Sequence, residues 1–364
     1  MTDVARRVAP VRDEDVGPVI PTEATASGGL SWRWLAGGVI ALIAALFAGL
    51  TLGPAGIPAD AVLGDIVSRL PVVGAGSRLD ELEATILWEI RAPRVALGAL
   101  VGLMLALAGG SYQAVFHNPL ADPFLLGVAA GAGLGATIAI ASVGAGTAVL
   151  PVFAFVGAVL AVAAAYALGQ SVGVSSRASL VLAGVAVAAF LTAIQTFVLQ
   201  QNTEDIRAVY AWLLGRLATS GWGEVVAVIP YVAVSAAVIL AHRRILDVLR
   251  VGDEEAATLG VAVTRVRLLV VAAATLGTAA AVAVSGLIGF VGILVPHAIR
   301  LLAGGAYRVV LPLSALFGAA FLVVADIVAR TALAPAELPI GVVTACIGAP
   351  FFAVVLRTTR TVAP

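Results

Sequence analysis

The 364-residue chain has no lysine, and all 21 of its basic residues are arginine. A Walker A loop needs Gly-Lys-Ser/Thr to hold and neutralise nucleotide phosphates, so none is present. Any ATP-driven work by this chain therefore draws its nucleotide chemistry from another polypeptide. Cysteine is nearly as scarce. The single Cys346 lies in an apolar run, which excludes an intramolecular disulfide and leaves no thiolate cluster for a metal; a small buried hydrophobe is the simplest reading. The three histidines, His117, His242 and His297, are scattered near the ends of apolar runs. They suit hydrogen bonding at helix ends, with Pro296-His297 marking a break in its helix that frees backbone carbonyls. No catalytic residue, metal ligand or cofactor is expected. Charge is sparse too: 12% of residues are charged, acids and bases cancel, and no basic patch suits nucleic acid.

What the chain has is apolar length. It is 61% hydrophobic, with a mean hydropathy of +1.08. The runs are continuous Ala/Val/Leu/Gly stretches rather than alternating strands, so the fold expected is an all-α polytopic membrane protein. Ten spans are predicted: Trp34–Leu52, Val95–Phe116, Pro123–Ala141, Ala148–Leu168, Ala178–Leu199, Glu224–Ala241, Val266–Ser285, Gly286–Leu302, Val309–Ala329 and Ile340–Leu356. Residues 1–31 mix Arg6, Arg7 and Arg12 with Asp13, Glu14 and Asp15 and read as a disordered tail, leaving 32–360 as the ten-helix transmembrane domain. An even number of spans puts both termini on one side. Placing them in the cytoplasm leaves fourteen of the 21 arginines inside and the other seven outside, as the positive-inside rule favours.

The stretch Arg91–Gly135 holds two spans and the turn Phe116-His117-Asn118-Pro119, where proline must stop the first helix. Glycines at 127, 131 and 135 lie on one face of the second, which suits close packing. Arg91 and Arg94 flank Pro93 at an outer helix start, and Arg330 begins the outer loop that ends at Glu337-Leu338-Pro339. Guanidinium forks there are a dock for carboxylates; the competing reading is snorkelling or pairing with Glu89 or Asp326. Loop 242–265 predicts two short helices, the second running from Asp253 to Leu259 and closed by Gly260. It is either a compact knob fitted to a partner's groove or an ordinary solvated loop. On the fifth span Thr192, Gln195, Thr196 and Leu199 share a face. They are candidates for lining a translocation path or for interhelical hydrogen bonds.

Five segments carry a resemblance: RAPRVALGALVGLMLALAGGSYQAVFHNPLADPFLLGVAAGAGLG, WLLGRLATSGW, GDEEAATLGV, GLIGFVGILVPHAIR and ADIVARTALAPAELPIGVVTACIGAPFF. Together the chain resembles the permease subunits of ABC importers for iron-siderophores, haem and cobalamin. The resemblance implies a second permease subunit, identical or related, two cytoplasmic ATP-binding subunits and an extracytoplasmic substrate-binding protein, in a multi-pass assembly of the cytoplasmic membrane. It assigns binding-protein docking to Arg91, Arg94 and Arg330, and ATPase coupling to Gly252, Asp253, Glu254, Leu259 and Gly260. The cargo implied is a ferric siderophore, with haem or cobalamin as alternatives. A proton-coupled carrier would need an intramembrane acidic relay, for which Asp326 is the sole candidate.

Overall fold

The computed structural model describes residues 30–69, 79–145, 148–171, 177–218 and 221–360. Apart from Leu30 and Ser31, the tail expectation falls outside these residues. The described residues fold as fourteen α-helices: α1 Trp32–Thr51, α2 Ala59–Ser68, α3 Glu81–Thr85, α4 Ala92–Phe116, α5 Val128–Val143, α6 Leu150–Ser171, α7 Arg177–Gln201, α8 Ile206–Leu213, α9 Gly223–Val248, α10 Asp253–Thr258, α11 Val263–Ser285, α12 Val291–Ala303, α13 Tyr307–Thr331 and α14 Ile340–Arg360. Among the described residues seven helical stretches are long and apolar enough to cross a membrane, and three shorter apolar helices, Val128–Val143, Val291–Ala303 and Ile340–Val355, bring the set to the expected ten. The protein is a multi-pass, all-helical membrane protein.

At the centre lies α4, apolar on every side and buried along nearly its whole length, with α9, α11, α12 and α13 around it. A helix surrounded by others has no polar face to keep, which explains why its sequence shows no amphipathic stripe. Close approach is achieved through glycine. A Cβ at Gly102 would strike the Gly318 carbonyl, and one at Gly109 the Gly292 carbonyl. Gly131 and Gly135 likewise face Gly157 and Phe153 of α6. Gly127 does not share that role: at φ 87 it precedes α5 as a left-handed corner.

α4 ends where proline requires. His117 takes the left-handed conformation at φ 49, and Asn118 Oδ1 accepts from Leu120 N at 2.9 Å to close the turn. Two expectations change. Pro296 does not break its helix, because α12 runs through it from Val291. What proline does is deprive the Gly292 carbonyl of its i+4 donor, and Gln113 Nε2 of α4 supplies one at 3.2 Å. The break falls earlier, at Gly286–Phe290, where α11 has ended and Phe290 stands at φ 69. Loop 242–265 is also shorter than expected. α9 continues to Val248, and Leu246 and Leu249 are buried, so the first of the two expected helices is the end of a span.

Candidate functional site

Two regions concentrate polar side chains, and α11 separates them. Its 23 residues span about 34 Å at 1.5 Å per residue, so α10 and the junction beyond Ser285 stand at opposite ends of the bundle.

At the Ser285 end three non-helical connections meet backbone to backbone. Arg216 N donates to Ser285 O at 2.8 Å, and Gly341 N donates to Leu214 O at 3.0 Å. Glycine is required on each strand of this junction: Gly215 at φ 76 and Gly286 at φ 69 lie too close to each other's backbone for side chains, and a Cβ on Gly341 would press on Leu214 and Leu287 carbonyls. Three of the five resembling segments, WLLGR, GLIG and LPIG, thus converge at one point. Beside it opens a cleft of about 420 Å³ lined by Arg94, Arg207, Tyr210, Arg216, Glu337 and Pro339, among others.

The three arginines proposed from sequence border this end, and their guanidinium groups are engaged within the chain. Arg91 is 4% exposed, donating from Nη1 to Leu50 O at 2.9 Å and Thr51 O at 3.0 Å, and from Nη2 to Ala55 O. It ties α4 to the turn after α1. Arg330 is 3% exposed and holds Gly49 O at 2.6 Å and Asp326 at 3.3 Å. Arg94 reaches furthest out. Its Nε and Nη2 meet Asp326 at 2.9–3.2 Å, while Nη1 and Nη2 form a fork on Glu337 at 2.8 and 3.0 Å. Asp326 is therefore a buried carboxylate clamped between two arginines. Pairing with Asp326, the competing reading from sequence, is what the geometry displays for Arg94 and Arg330. Sequence reasoning missed two exposed cations on the cleft wall, Arg207 and Arg216. The signal available was that α8 is amphipathic, burying Val209 and Trp212 and turning Arg207 and Tyr210 outward.

At the opposite end α10 stands between two glycines with positive φ, Gly252 at 140 and Gly260 at 82. Asp253 pairs with Arg267 of α11 at 2.8 Å, Glu254 is exposed, and Leu259 is 70% exposed. Ala256 is the residue by which the short helix packs on the body. Arg267 was not singled out from sequence, because fourteen residues and a turn separate it from Asp253.

The stripe on α7 divides. Gln195 is buried and donates from Nε2 to Thr137 Oγ1 of α5 at 3.1 Å, and Thr137 in turn donates to Gly133 O at 2.7 Å. It is an interhelical hydrogen bond, the alternative reading from sequence. Thr192 and Thr196 remain exposed, joined by Thr196 Oγ1 donating to Thr192 O at 2.9 Å, and Leu199 packs on the core. Among the described residues no cluster of His, Cys, Asp or Glu has the makings of a metal site.

Comparison with known proteins gives one consistent picture. The model of the FecCD transport family matches residues 35–358. The cobalamin import system permease protein BtuC of Halobacterium salinarum is 40% identical over 89% of this chain and 95% of its own length. The Fe(3+) dicitrate transport system permease protein FecD of Escherichia coli is 38% identical over 73% of this chain and 83% of its own. A solved structure of a metal-chelate type ABC transporter, in an inward-facing conformation, superposes with a TM-score of 0.77 at 28% identity, covering 90% of this chain and all of that one.

Proposed function

On the premise that this chain belongs to the FecCD transport family and is a permease of the ABC importer type, we propose that it passes a ferric-siderophore-type chelate across the cytoplasmic membrane. The observation that carries the coupling part of this reading is α10, a six-residue helix between two glycine corners with Leu259 70% exposed. A knob with an aliphatic tip and an acidic flank has no work inside the bundle. It fits the groove of a cytoplasmic ATP-binding subunit, which supplies the nucleotide site that a chain without lysine lacks. Gly252, Asp253, Glu254, Leu259 and Gly260 form this contact, which places both termini and α10 in the cytoplasm and the Ser285 junction outside.

The substrate-binding protein then docks over the outer cleft. In this arrangement Arg91 and Arg330 hold the corner, while Arg94, with Glu337 as its removable partner, offers a fork to a docking carboxylate. Two ATP-binding subunits close on ATP, the knobs move, and the helices around the path alternate which side is open. Exposed apolar side chains on α7 and α14, among them Leu182, Phe190, Phe197 and Val354, suit a second permease subunit and lipid. Thr192 and Thr196 are then placed to line the path between the two.

A second reading has its own support: cobalamin is the cargo named for the Halobacterium salinarum relative, which matches nearly full length. Haem belongs to the same alternative. Proton coupling is disfavoured by the state of Asp326, whose oxygens are held by Arg94 and Arg330 rather than facing a relay. Uptake into proteoliposomes holding the permease, ATP-binding subunit and binding protein, compared for ferric hydroxamate, haem and cobalamin, tests the cargo. Accumulation of cobalamin alone would move the assignment to the second reading.

A further inference from the structure

The connection between α10 and the rest of the bundle has an unusual form. At both ends the chain passes through glycines with positive φ, Gly252 and Gly260, which no side chain stiffens. Beneath the helix lies a cavity of about 370 Å³ whose far wall is made by Tyr166 and Gln170 at the end of α6 and Leu180 near the start of α7, and whose near wall includes Ala257, Val263 and Arg267. Ala256 is the sole buried residue of α10, and a helix hinged at both ends and held to the body by so small a side chain would absorb a push by rocking. A polar contact works against this: Asp253, the first residue of α10, accepts from Arg267 Nη2 at 2.8 Å, one turn into α11.

We propose that the Asp253–Arg267 pair is a latch that makes α10 and α11 move as one lever, carrying a displacement of the knob along α11 to the outer junction at Ser285. The inference rests on the reading of α10 as the contact with the ATP-binding subunit. α11 is suited to the task. It is a single 23-residue helix without an internal proline, and at its far end Ser285 O is bound by Arg216 N at 2.8 Å beside the outer cleft. Arg267 acts through Asp253 on the position of α10 and is a positioning residue. The pair is weakly placed as a stabiliser, since Asp253 is 37% exposed and its partner 14%. Loss of Arg267 leaves behind only the more exposed partner, and pairs with such a partner add little to folding, so Arg267→Ala leaves the fold intact and exposes the mechanical role of the pair. Once an ATP-binding subunit covers the knob, exclusion of water strengthens the pair at the moment it bears load.

The test uses the assembled complex in proteoliposomes, with Cys346→Ser as background. Ala211→Cys, on the outer cleft, reports opening through its labelling rate by a membrane-impermeant maleimide with and without ATP. Leu259→Cys reports the knob's contact by crosslinking to a cysteine on the ATP-binding subunit. The expected result is an ATP-dependent change in labelling of at least about fivefold that falls below about twofold in Arg267→Ala and recovers in Arg267→Lys. ATP hydrolysis and the Leu259→Cys crosslink persist throughout. A full ATP-dependent change in Arg267→Ala, with the crosslink present, overturns the latch and leaves the knob reading standing. Absence of the crosslink in the unlatched and latched proteins alike removes the knob reading, and the latch with it.

Discussion

The buried carboxylate Asp326 offers a quantitative test of the outer corner. It is 2% exposed and meets Arg94 at 2.9–3.2 Å and Arg330 at 3.3 Å. Asp326→Asn keeps the shape and removes the charge, leaving two largely buried guanidinium groups without their common counter-ion. Removing one partner of a buried pair costs about 3–5 kcal/mol. Two contacts soften the loss, because Arg94 retains Glu337 and Arg330 retains Gly49 O. The lower end, about 3 kcal/mol, is therefore expected. Glu337→Gln is the internal comparison: Glu337 is 45% exposed, and its loss should cost no more than about 1 kcal/mol. Thermal unfolding of the purified permease in detergent, followed by tryptophan fluorescence, should show a Tm for Asp326→Asn several degrees below that of Glu337→Gln. Equal Tm values for the two variants would refute the assignment of Asp326 as the charge that holds this corner.

Gly109→Ala should prevent assembly of the helix core or cost at least about 3 kcal/mol, because its Cβ meets the Gly292 carbonyl of a packed helix, whereas Gly37→Ala, with open space around it, should be neutral within about 0.5 kcal/mol in the same unfolding assay. Gln113→Leu should cost about 1–3 kcal/mol by leaving the Gly292 carbonyl, already deprived of a donor by Pro296, without a partner. Burial raises the Asp122 carboxyl from 3.8 to about 6, against the lowering effect of its hydrogen bond from Phe124 N. With the folded value above the unfolded one, the protonated acid favours the fold: its contribution is complete below pH 3.8 and is lost as pH rises through about 6. Asp122→Asn, which keeps the cap, should flatten the decline in Tm across that window. Glu254→Gln should leave ATP-dependent uptake within about twofold, whereas Leu259→Pro should uncouple hydrolysis from uptake at unchanged expression; coupled uptake in the proline variant would count against α10 as the knob.

The helical architecture was legible because it rests on one-dimensional quantities. Apolar run length gives the spans, proline stops α4 at Phe116, and Gly252 and Gly260 bracket α10 as their type requires. Helix ends near charged residues were less legible: α9 carries His242 to Val248 out of the apolar run as helix, because Leu246 and Leu249 still find buried partners. The site was readable as a set of segments rather than as contacts. Gly215, Gly286 and Gly341 lie far apart in sequence, and nothing local to any of them reports that their backbones touch. For the arginines, sequence fixes charge and approximate depth. Whether a guanidinium faces a partner protein or a carbonyl of its own chain depends on the C-terminal end of α1, which Arg91 and Arg330 both reach. The α7 stripe was legible as a shared face for a related reason, since helical periodicity places Thr192, Gln195 and Thr196 together, and only the position of α5 decides that Gln195 turns inward.

The central claim is that this permease moves its cargo by work done in a separate ATP-binding subunit. The most direct measurement is accumulation of radiolabelled ferric hydroxamate in proteoliposomes containing the permease, its ATP-binding subunit and its binding protein. The account predicts uptake against a gradient that requires ATP inside the reconstituted system's nucleotide-accessible compartment and disappears with a hydrolysis-deficient ATP-binding subunit. Equal uptake by the permease alone, driven by a proton gradient with no nucleotide present, would contradict it.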